Sequence, residues 1–230
     1  MWFGIFQIIN FLGWSHHDPF INKIVLAVSS FLHAQFTLSH MMLLSTTFYQ
    51  LQSLNKTVKA IASEHYEKSL KKKILKILIL HDKFCHVSDE ISKMYAIPVI
   101  LYFSAFAVFS YYSGYILFVF AKTLSIPLFY FFCYFLFWLS IFTPFIFWTL
   151  TFSSLIENEG RRTPEILFKY QKTFKNPACS KIIERFYLQS TQRNPKITSG
   201  FFKLNWKLFF RLCTAILSFT IILIQFYDVK

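Results

Sequence analysis

Charge is missing from most of this chain. Only 15% of the 230 residues are charged, and the runs 24–55, 94–121, 123–156 and 212–227 contain no Asp, Glu, Lys or Arg. A water-soluble fold could not bury four such runs, whereas a helix of about 20 apolar residues crosses a bilayer. The runs therefore predict an all-α fold, a polytopic helical membrane protein with four spans.

Signals of catalysis and of metal binding are also missing. The chain has no G-x-S-x-G, H-E-x-x-H or Walker pattern, and no carboxylate lies inside a charge-free run. Intramembrane enzymes and proton-coupled transporters usually need ionisable residues at membrane depth. We therefore expect no catalytic residue, no metal and no cofactor. The four cysteines form no CxxC pair and are expected to be unpaired thiols: Cys85, Cys133, Cys179 and Cys213.

A recognisable signal peptide is lacking as well. Met1–Trp14 is apolar, but it has neither a basic n-region nor a small-residue cleavage site. It is short for a span, so two interpretations stay open. It is either the end of a preceding span or an interfacial segment anchored by Trp2 and Trp14.

Positive charge is present, and it is concentrated in two places. Nine Lys residues fall in 56–93 and twelve Lys or Arg residues in 157–211, which leaves three of the 24 elsewhere. Loops rich in Lys and Arg stay in the cytosol. Loops 56–93 and 157–204 are therefore predicted to be cytosolic and the C-terminus extracellular. The formal charge of +13 then marks orientation in the lipid bilayer, and no nucleic acid is expected as a partner.

The predicted order of elements follows from these runs. Residues 1–155 would hold the N-terminal apolar segment, a three-span bundle and a cytosolic helix in 56–93. Residues 156–230 would hold a second cytosolic helix and a final span of the pore type. The spans are placed at 24–55, 94–121, 127–155 and 205–227, with the first and third long enough to tilt or to protrude into the cytosol.

Both basic segments show helical periodicity. In the first, apolar residues recur beside lysines at Leu70, Ile74, Ile77, Leu78, His81, Phe84, Cys85 and Val87. In the second, they recur at Ile182, Ile183, Phe186 and Tyr187, between Pro177 and Asn194–Pro195. We expect two amphipathic helices that pack together. A basic helix on the membrane surface is the alternative for the first.

Histidines are the main polar residues to consider. His33 and His40 are seven residues apart, hence on one helix face, and such a pair can hold haem or metal. No second helix supplies a matching pair, so hydrogen bonds within the bundle or a pocket lining are expected instead. Two further groups are expected to be exposed or packed without binding metal: His16, His17 and Asp18 in an outer loop, and His81, Asp82 and His86 on the cytosolic helix.

Two further span features each allow two interpretations. The aromatic stretch 127–148 is either packing and lipid-facing surface or a pocket for a small organic ligand. Gln225, near the outer end of the last span, either bonds a neighbouring helix or lines a pore in a symmetric oligomer. In the second case Ile221, Ile222 or Ile224 would form a hydrophobic constriction.

The C-terminal residues resemble the signature of insect gustatory receptors, which reads Thr-Tyr, five hydrophobic residues and Gln-Phe. Here it stands as Ser218-Phe219, residues 220–224 and Gln225-Phe226, with Ser for Thr and Phe for Tyr. The stretches 186–189 and 200–205 and His81 are also similar to the family. The resemblance covers nearly all of this chain but only spans four to seven of the family, so that Met1–Trp14 would end span three.

The resemblance implies a receptor in taste perception that acts as a ligand-gated cation channel of the plasma membrane. Family members assemble as tetramers, so other receptor subunits are implied as partners, in a homotetramer or heterotetramer, with a small-molecule tastant as ligand. Pore or gate residues would be Ser218, Phe219, Ile222, Gln225 and Phe226. Pocket residues would be His33, Tyr134 and Trp138. The chain is expected to be such a subunit, whole or truncated. The alternative is a non-conducting fragment or accessory membrane protein that associates with full-length partners.

Overall fold

The fold is all-α. The computed structural model describes residues 19–63, 70–124, 126–171 and 177–228, so Met1–Trp14 and the cluster at 16–18 lie outside the described residues. Five α-helices follow one another in the described part: α1 Pro19–Ser63, α2 Leu70–Thr123, α3 Ile126–Tyr170, α4 Pro177–Gln192 and α5 Trp206–Asp228. The predicted helical class is confirmed.

Three helices, α2, α3 and α5, are long and apolar enough to cross a membrane. They correspond to the predicted spans 94–121, 127–155 and 205–227. Over the residues described, α1 is not among them, and His33, Gln35 and His40 make its central part more polar than the other three. The remaining predicted span, at 24–55, therefore stays a prediction.

Two helices continue well beyond their predicted spans. The amphipathic helix predicted from Leu70 and the span 94–121 form one helix of 54 residues, with Pro98 inside it. Helix α3 runs on past residue 155 to Tyr170, for 45 residues in all. At about 1.5 Å per residue each helix is longer than the roughly 30 Å of hydrocarbon in a bilayer.

The chain divides into two compact units. Unit 1 comprises Met1–Met41, Ile97–Trp148 and Lys207–Lys230, and unit 2 comprises Met42–Ala96 and Thr149–Trp206. Each unit draws on segments that are far apart in sequence. The predicted division of the chain between residues 155 and 156 stays a prediction.

Unit 2 is built around the amphipathic helices. Its core joins Ile74 and Ile77 of α2 to Ile183 and Phe186 of α4; the other members are Leu54, Val58, Leu167 and Cys179. The predicted packing of the two amphipathic helices against each other is thus observed. It uses the residues that the helical spacing indicates, because an amphipathic helix buries its apolar stripe.

One position of that stripe was predicted wrongly. Val87 is exposed, whereas Ser88 is fully buried. The buried series runs through His81, Cys85, Ser88 and Ser92, which follows the 3.6-residue period more closely than a step to Val87 does. A pattern of apolar residues does not include a small polar serine, although Ser88 is small enough to be buried in the stripe.

Candidate functional site

A hydrogen-bonded group connects α1 and α2 within unit 1. The Tyr102 hydroxyl lies 2.7 Å from Nδ1 of His33 and 2.9 Å from the Thr37 hydroxyl. A hydroxyl both donates and accepts, so Tyr102 can bridge the two α1 side chains. The predicted role of His33 in hydrogen bonding within the bundle is thereby observed. Thr37 lies four residues after His33, one helical turn away on the same face.

Aromatic rings extend this group into α3. Phe142 is the common neighbour: its ring centroid lies 6.2 Å from His33, 5.7 Å from Tyr102 and 5.9 Å from Trp138. Tyr134 meets Trp138 edge-on at 6.3 Å. The structure thus brings the three predicted pocket residues into one row, with His33 half-buried, Trp138 buried and Tyr134 partly exposed.

His40 belongs to the same face of α1 as His33. It is fully buried and its ring packs against Phe145 at 5.4 Å. Phe145 in turn lies 4.2 Å from Tyr102. Over the described residues, no three His, Cys, Asp or Glu side chains are grouped so that they could hold a metal ion. Both histidine rings lie against aromatic rings, His33 against Tyr102 and Phe142 and His40 against Phe145.

Helix α5 has two different faces. One face is half-buried in unit 1 and carries Cys213, Ile216, Thr220, Leu223 and Ile224. The predicted pore residues lie elsewhere on the helix, and all five are exposed: Ser218, Phe219, Ile222, Gln225 and Phe226. Seven residues separate Ser218 from Gln225, so the two polar side chains share a stripe.

The packed face of α5 is held by close contacts. Phe209 lies between Phe106 of α2 and Phe147 of α3, with ring centroids 5.9 Å and 5.3 Å away. Further along, a Cβ added at Gly114 would lie only 3.2 Å from the Thr220 methyl group. A glycine at that point lets the two helices approach closely, as small residues do between membrane helices.

In unit 2, a proline gap in α3 is filled from α2. Pro164 has no N–H, so the Gly160 carbonyl loses its helical partner four residues on. Nε2 of His81 lies 3.2 Å from that carbonyl oxygen and can donate to it. Burial lowers the pKa of His81, against the smaller opposing effects of the Gly160 bond and of Asp82. His81 is therefore neutral at pH 7, with the Nε2 proton used for this bond.

A second polar group lies on the same stretch of α3. The Asn55 amide donates to the Glu159 carboxylate and to its backbone carbonyl, both at 2.8 Å, and Thr163 donates to Asn55 at 2.6 Å. Arg162 completes the group by pairing with Glu159. Each buried polar atom in it has a partner, which is the condition for such a group to stabilise a fold.

An open cavity of about 440 Å³ also lies in unit 2. Its charged lining residues have both signs: Glu157, Glu165, Arg161, Lys196 and Lys203. None of the predicted pocket residues lines it, since His33, Tyr134 and Trp138 belong to unit 1. Some of these charges are already paired with one another, because Glu157 forms ion pairs with Arg161 and Lys203.

Comparison with known proteins decides the family. A sequence model of the 7tm chemosensory receptor family matches residues 1–230. The chain belongs to the 7tm chemosensory receptor family. Isoforms B, D and A of the Drosophila melanogaster "Gustatory and pheromone receptor 39a" are similar to this chemosensory receptor, with 33%, 32% and 33% identity over 76 residues. This confirms the insect gustatory receptor family that the C-terminal residues indicated.

The aligned stretch is limited. It covers 33% of this chemosensory receptor and 19–20% of each of the three Drosophila proteins. The chain thus spans about a fifth of the length of the curated relatives it matches. The activities of those whole proteins can therefore only be proposed for this chain.

Sequence reasoning missed several residues that connect the helices of this receptor. Tyr102 and Thr37 were not singled out, although a tyrosine and a threonine inside charge-free runs are polar groups that need partners. Gly160 and Pro164 were also missed. The spacing of four between a glycine and a proline within one helix was the available signal, since it identifies the carbonyl that the proline leaves free.

Proposed function

We propose that this chain is a subunit of a chemosensory, ligand-gated cation channel of the plasma membrane, with a small-molecule tastant as ligand. Its α5 would line a pore shared with other receptor subunits, in a homotetramer or heterotetramer. The family match supports the chemosensory part. The channel part is carried by one observation: the exposed stripe of α5.

That stripe is unsuited to lipid alone. Lipid tails offer no hydrogen bonds, so a glutamine facing them would keep its amide unsatisfied. Gln225 is exposed on the single chain, on the same stripe as Ser218. A water-filled pore or a neighbouring subunit would satisfy it. Ile222 next to it would supply a hydrophobic constriction that closes by dewetting.

The row containing His33, Tyr134 and Trp138 is the proposed ligand site. It combines aromatic surface with the His33–Tyr102–Thr37 polar group, which is the usual make-up of a small-molecule site. A ligand that prefers one arrangement of the row would shift the receptor toward it, by no more than its difference in affinity between states. Phe209, packed between Phe106 and Phe147, would pass that shift to α5.

The proposed topology follows the distribution of charge. Segments 56–93 and 157–204 would lie in the cytosol and the end of α5 outside, because 21 of 24 Lys and Arg residues fall in 56–93 and 157–211. Helix α1 would be the fourth span. Its histidines would be tolerated there because they face other helices, as polar groups at membrane depth do.

The test of the pore is a substitution at Gln225. We expect Gln225→Ala to change single-channel conductance or open probability at least several-fold, because a pore-lining polar group interacts with every passing ion. Whole-cell and single-channel recording from cells expressing the chain, alone and with other receptors of the family, would measure this.

The matched control is Leu217→Ala. Leu217 is 63% exposed, and around the helix it lies about 80° from Gln225 and about 100° or more from Ser218 and Ile222, so it falls outside the stripe that these residues share. Currents from Leu217→Ala should match those of the parent chain. Parent-like currents from Gln225→Ala would refute the pore role. If surface expression is normal and no current appears in any combination, the accessory, non-conducting alternative replaces the channel.

A further inference from the structure

A tight turn connects α4 to α5. Thr198 and Lys203 face each other in an isolated antiparallel bridge. Within it the Ser199 N–H donates to the Phe202 carbonyl at 2.9 Å, and the Phe202 N–H donates to the Ser199 hydroxyl at 3.3 Å. Gly200 has φ +79°, a conformation that favours glycine. The bridge, the two hydrogen bonds and the Gly200 conformation therefore give the turn 198–203 a specific backbone conformation.

Its hydrogen bonds fix the turn at the ends of two spans. The Thr198 N–H donates to the Ser92 hydroxyl at 3.0 Å, and the Ser153 hydroxyl donates to the Leu204 carbonyl at 2.7 Å. Ser92 precedes the predicted span 94–121 by two residues, and Ser153 lies two residues before the end of the span 127–155. Helix α5 begins only three residues after the turn, at Trp206. Three span boundaries thus coincide at the turn.

The tip of the turn is apolar. Phe201 is 83% exposed and Phe202 is 52% exposed. Two adjacent phenylalanines held out from a structured turn are costly in water, whereas interfacial segments bury Trp, Phe and Leu side chains at the boundary between head groups and acyl chains. The two rings are not buried within the chain. The hydrogen bonds of the turn hold them near the predicted membrane boundary, where lipid can bury them.

Along the sequence, the charge on either side of the tip has one sign. Residues 185–227 contain six Lys or Arg residues and no Asp or Glu. Beside the tip, Lys196 is exposed and is in no ion pair among the described residues, while Lys203 also pairs with Glu157 at 2.6 Å. A polybasic segment next to a span attracts anionic lipid.

From these observations we infer that the turn 198–203 inserts Phe201 and Phe202 into the cytosolic leaflet, with Lys196 and Lys203 beside the head groups of anionic phospholipids. The inference goes beyond the proposed channel activity. It depends on the membrane orientation and not on whether the chain conducts. A second copy of the chain covering the two rings is the competing arrangement.

Photo-cross-linking separates the two. The full chain with Phe201→p-benzoylphenylalanine would be reconstituted in nanodiscs of mixed phosphatidylserine and phosphatidylcholine, irradiated and analysed by mass spectrometry. Since the position is exposed and the new residue is aromatic, the fold should be preserved. We expect adducts to phospholipid as the main product. Adducts mainly to a second copy of the chain, or no adduct at all, would overturn the inference.

Leu188 supplies the matched control. It is an exposed apolar residue of the same unit, 59% exposed, but it lies on α4 rather than at the span boundaries. The same probe at Leu188 should give at least several-fold less lipid adduct. Equal lipid yields from both positions would mean that the probe reports random lipid encounters, and the inference would fail.

The identity of the cross-linked lipid tests whether the basic residues beside the turn contact anionic head groups. Adducts at position 201 should contain more phosphatidylserine than its share of the nanodisc. Because each basic residue near a membrane changes anionic-lipid binding by about fivefold, Lys196→Gln should reduce that enrichment up to about fivefold. Adducts in proportion to the lipid mixture, in both proteins, would overturn the head-group part of the inference.

Discussion

At the scale of single residues, the contact between His81 and Gly160 shows how a helix tolerates an interior proline. Pro164 cannot donate to the Gly160 carbonyl, and a buried carbonyl without a donor costs about 1–3 kcal/mol. His81, from another helix, provides the donor at 3.2 Å. The contact therefore repairs a gap that the sequence of α3 creates.

A double-mutant cycle tests this repair. His81→Leu should lower the free energy of unfolding by about 1–3 kcal/mol, because the Gly160 carbonyl is left buried and unpaired. In a Pro164→Ala background, the new N–H at position 164 can serve that carbonyl. The same His81 substitution should then cost less, by about 1 kcal/mol. Unfolding in mixed SDS micelles would measure the free energies.

His86→Leu is the control for this cycle. His86 is exposed on the same helix and should show no coupling to Pro164. Additive effects of the His81 and Pro164 substitutions would show that the hydrogen bond contributes nothing measurable.

Contacts between distant residues could not be predicted from the sequence, for a physical reason. Helical spacing identified the buried side of α2, including His81, because burial repeats with the local period. It could not identify partners, since Asn55 and Glu159 lie 104 positions apart and His81 and Gly160 lie 79 apart. Local periodicity carries no information about which distant segment comes to rest on a helix.

At the scale of helices, the crossing of α2 and α5 depends on one small residue. A Cβ at Gly114 would lie 3.2 Å from the Thr220 methyl group, which is closer than ordinary van der Waals contact. Interhelical packing in membranes relies on such close approach, because lipid is as apolar as the helix surfaces. A larger residue at position 114 requires the Thr220 methyl group, or the helix that carries it, to shift by a few tenths of an ångström.

The measurable consequence is a coupling between positions 114 and 220. We expect Gly114→Ala to lower stability by about 1–3 kcal/mol through overpacking. Thr220→Ser keeps the hydroxyl and removes the methyl group, so Gly114→Ala should be less costly in that background. The readout is the thermal unfolding midpoint of purified protein in nanodiscs. An equal cost in both backgrounds would place the strain elsewhere.

Helix existence was predictable and helix length was not. Charge-free runs gave α2, α3 and α5, since crossing lipid demands such runs. The charged continuations of α2 and α3 contain Lys, Glu and Arg, which are good helix formers that do not end a helix. A change in charge along the sequence therefore predicts where a helix would leave lipid, but it does not predict where the helix ends.

At the scale of the whole molecule, the distribution of positive charge sets the orientation that we propose. The acceptor pattern Asn55-Lys56-Thr57 occurs in the sequence, and the Asn55 amide is engaged by Glu159 and Thr163. We expect no glycan there, because cytosolic and buried acceptors are not modified.

A flexible Gly/Ser-rich loop with an Asn-X-Thr acceptor, inserted into the link 122–127, should in contrast be glycosylated. The same loop inserted after Gln171 should not be. A mass shift that an endoglycosidase reverses is the readout. A glycan on the second insertion, or no glycan on the first despite normal expression, would contradict the proposed topology.

The compact units also show a limit of sequence reasoning at this scale. Unit 1 joins three separate stretches of the chain and unit 2 joins two. A helix such as α2 contributes to both, so no boundary in sequence separates them. Composition reveals where lipid-compatible segments lie, but grouping them into units depends on contacts between distant residues.

The proline gap in α3 carries an evolutionary consequence. Positions 81, 160 and 164 share one hydrogen-bonding task, although two lie on one helix and the third on another. A lineage that replaces Pro164 with a residue bearing an N–H frees His81 to drift, while one that keeps the proline must retain a donor opposite it. We therefore expect relatives to keep or lose the histidine and the proline together, and to retain Gly160, against which Asn194 and Pro195 pack.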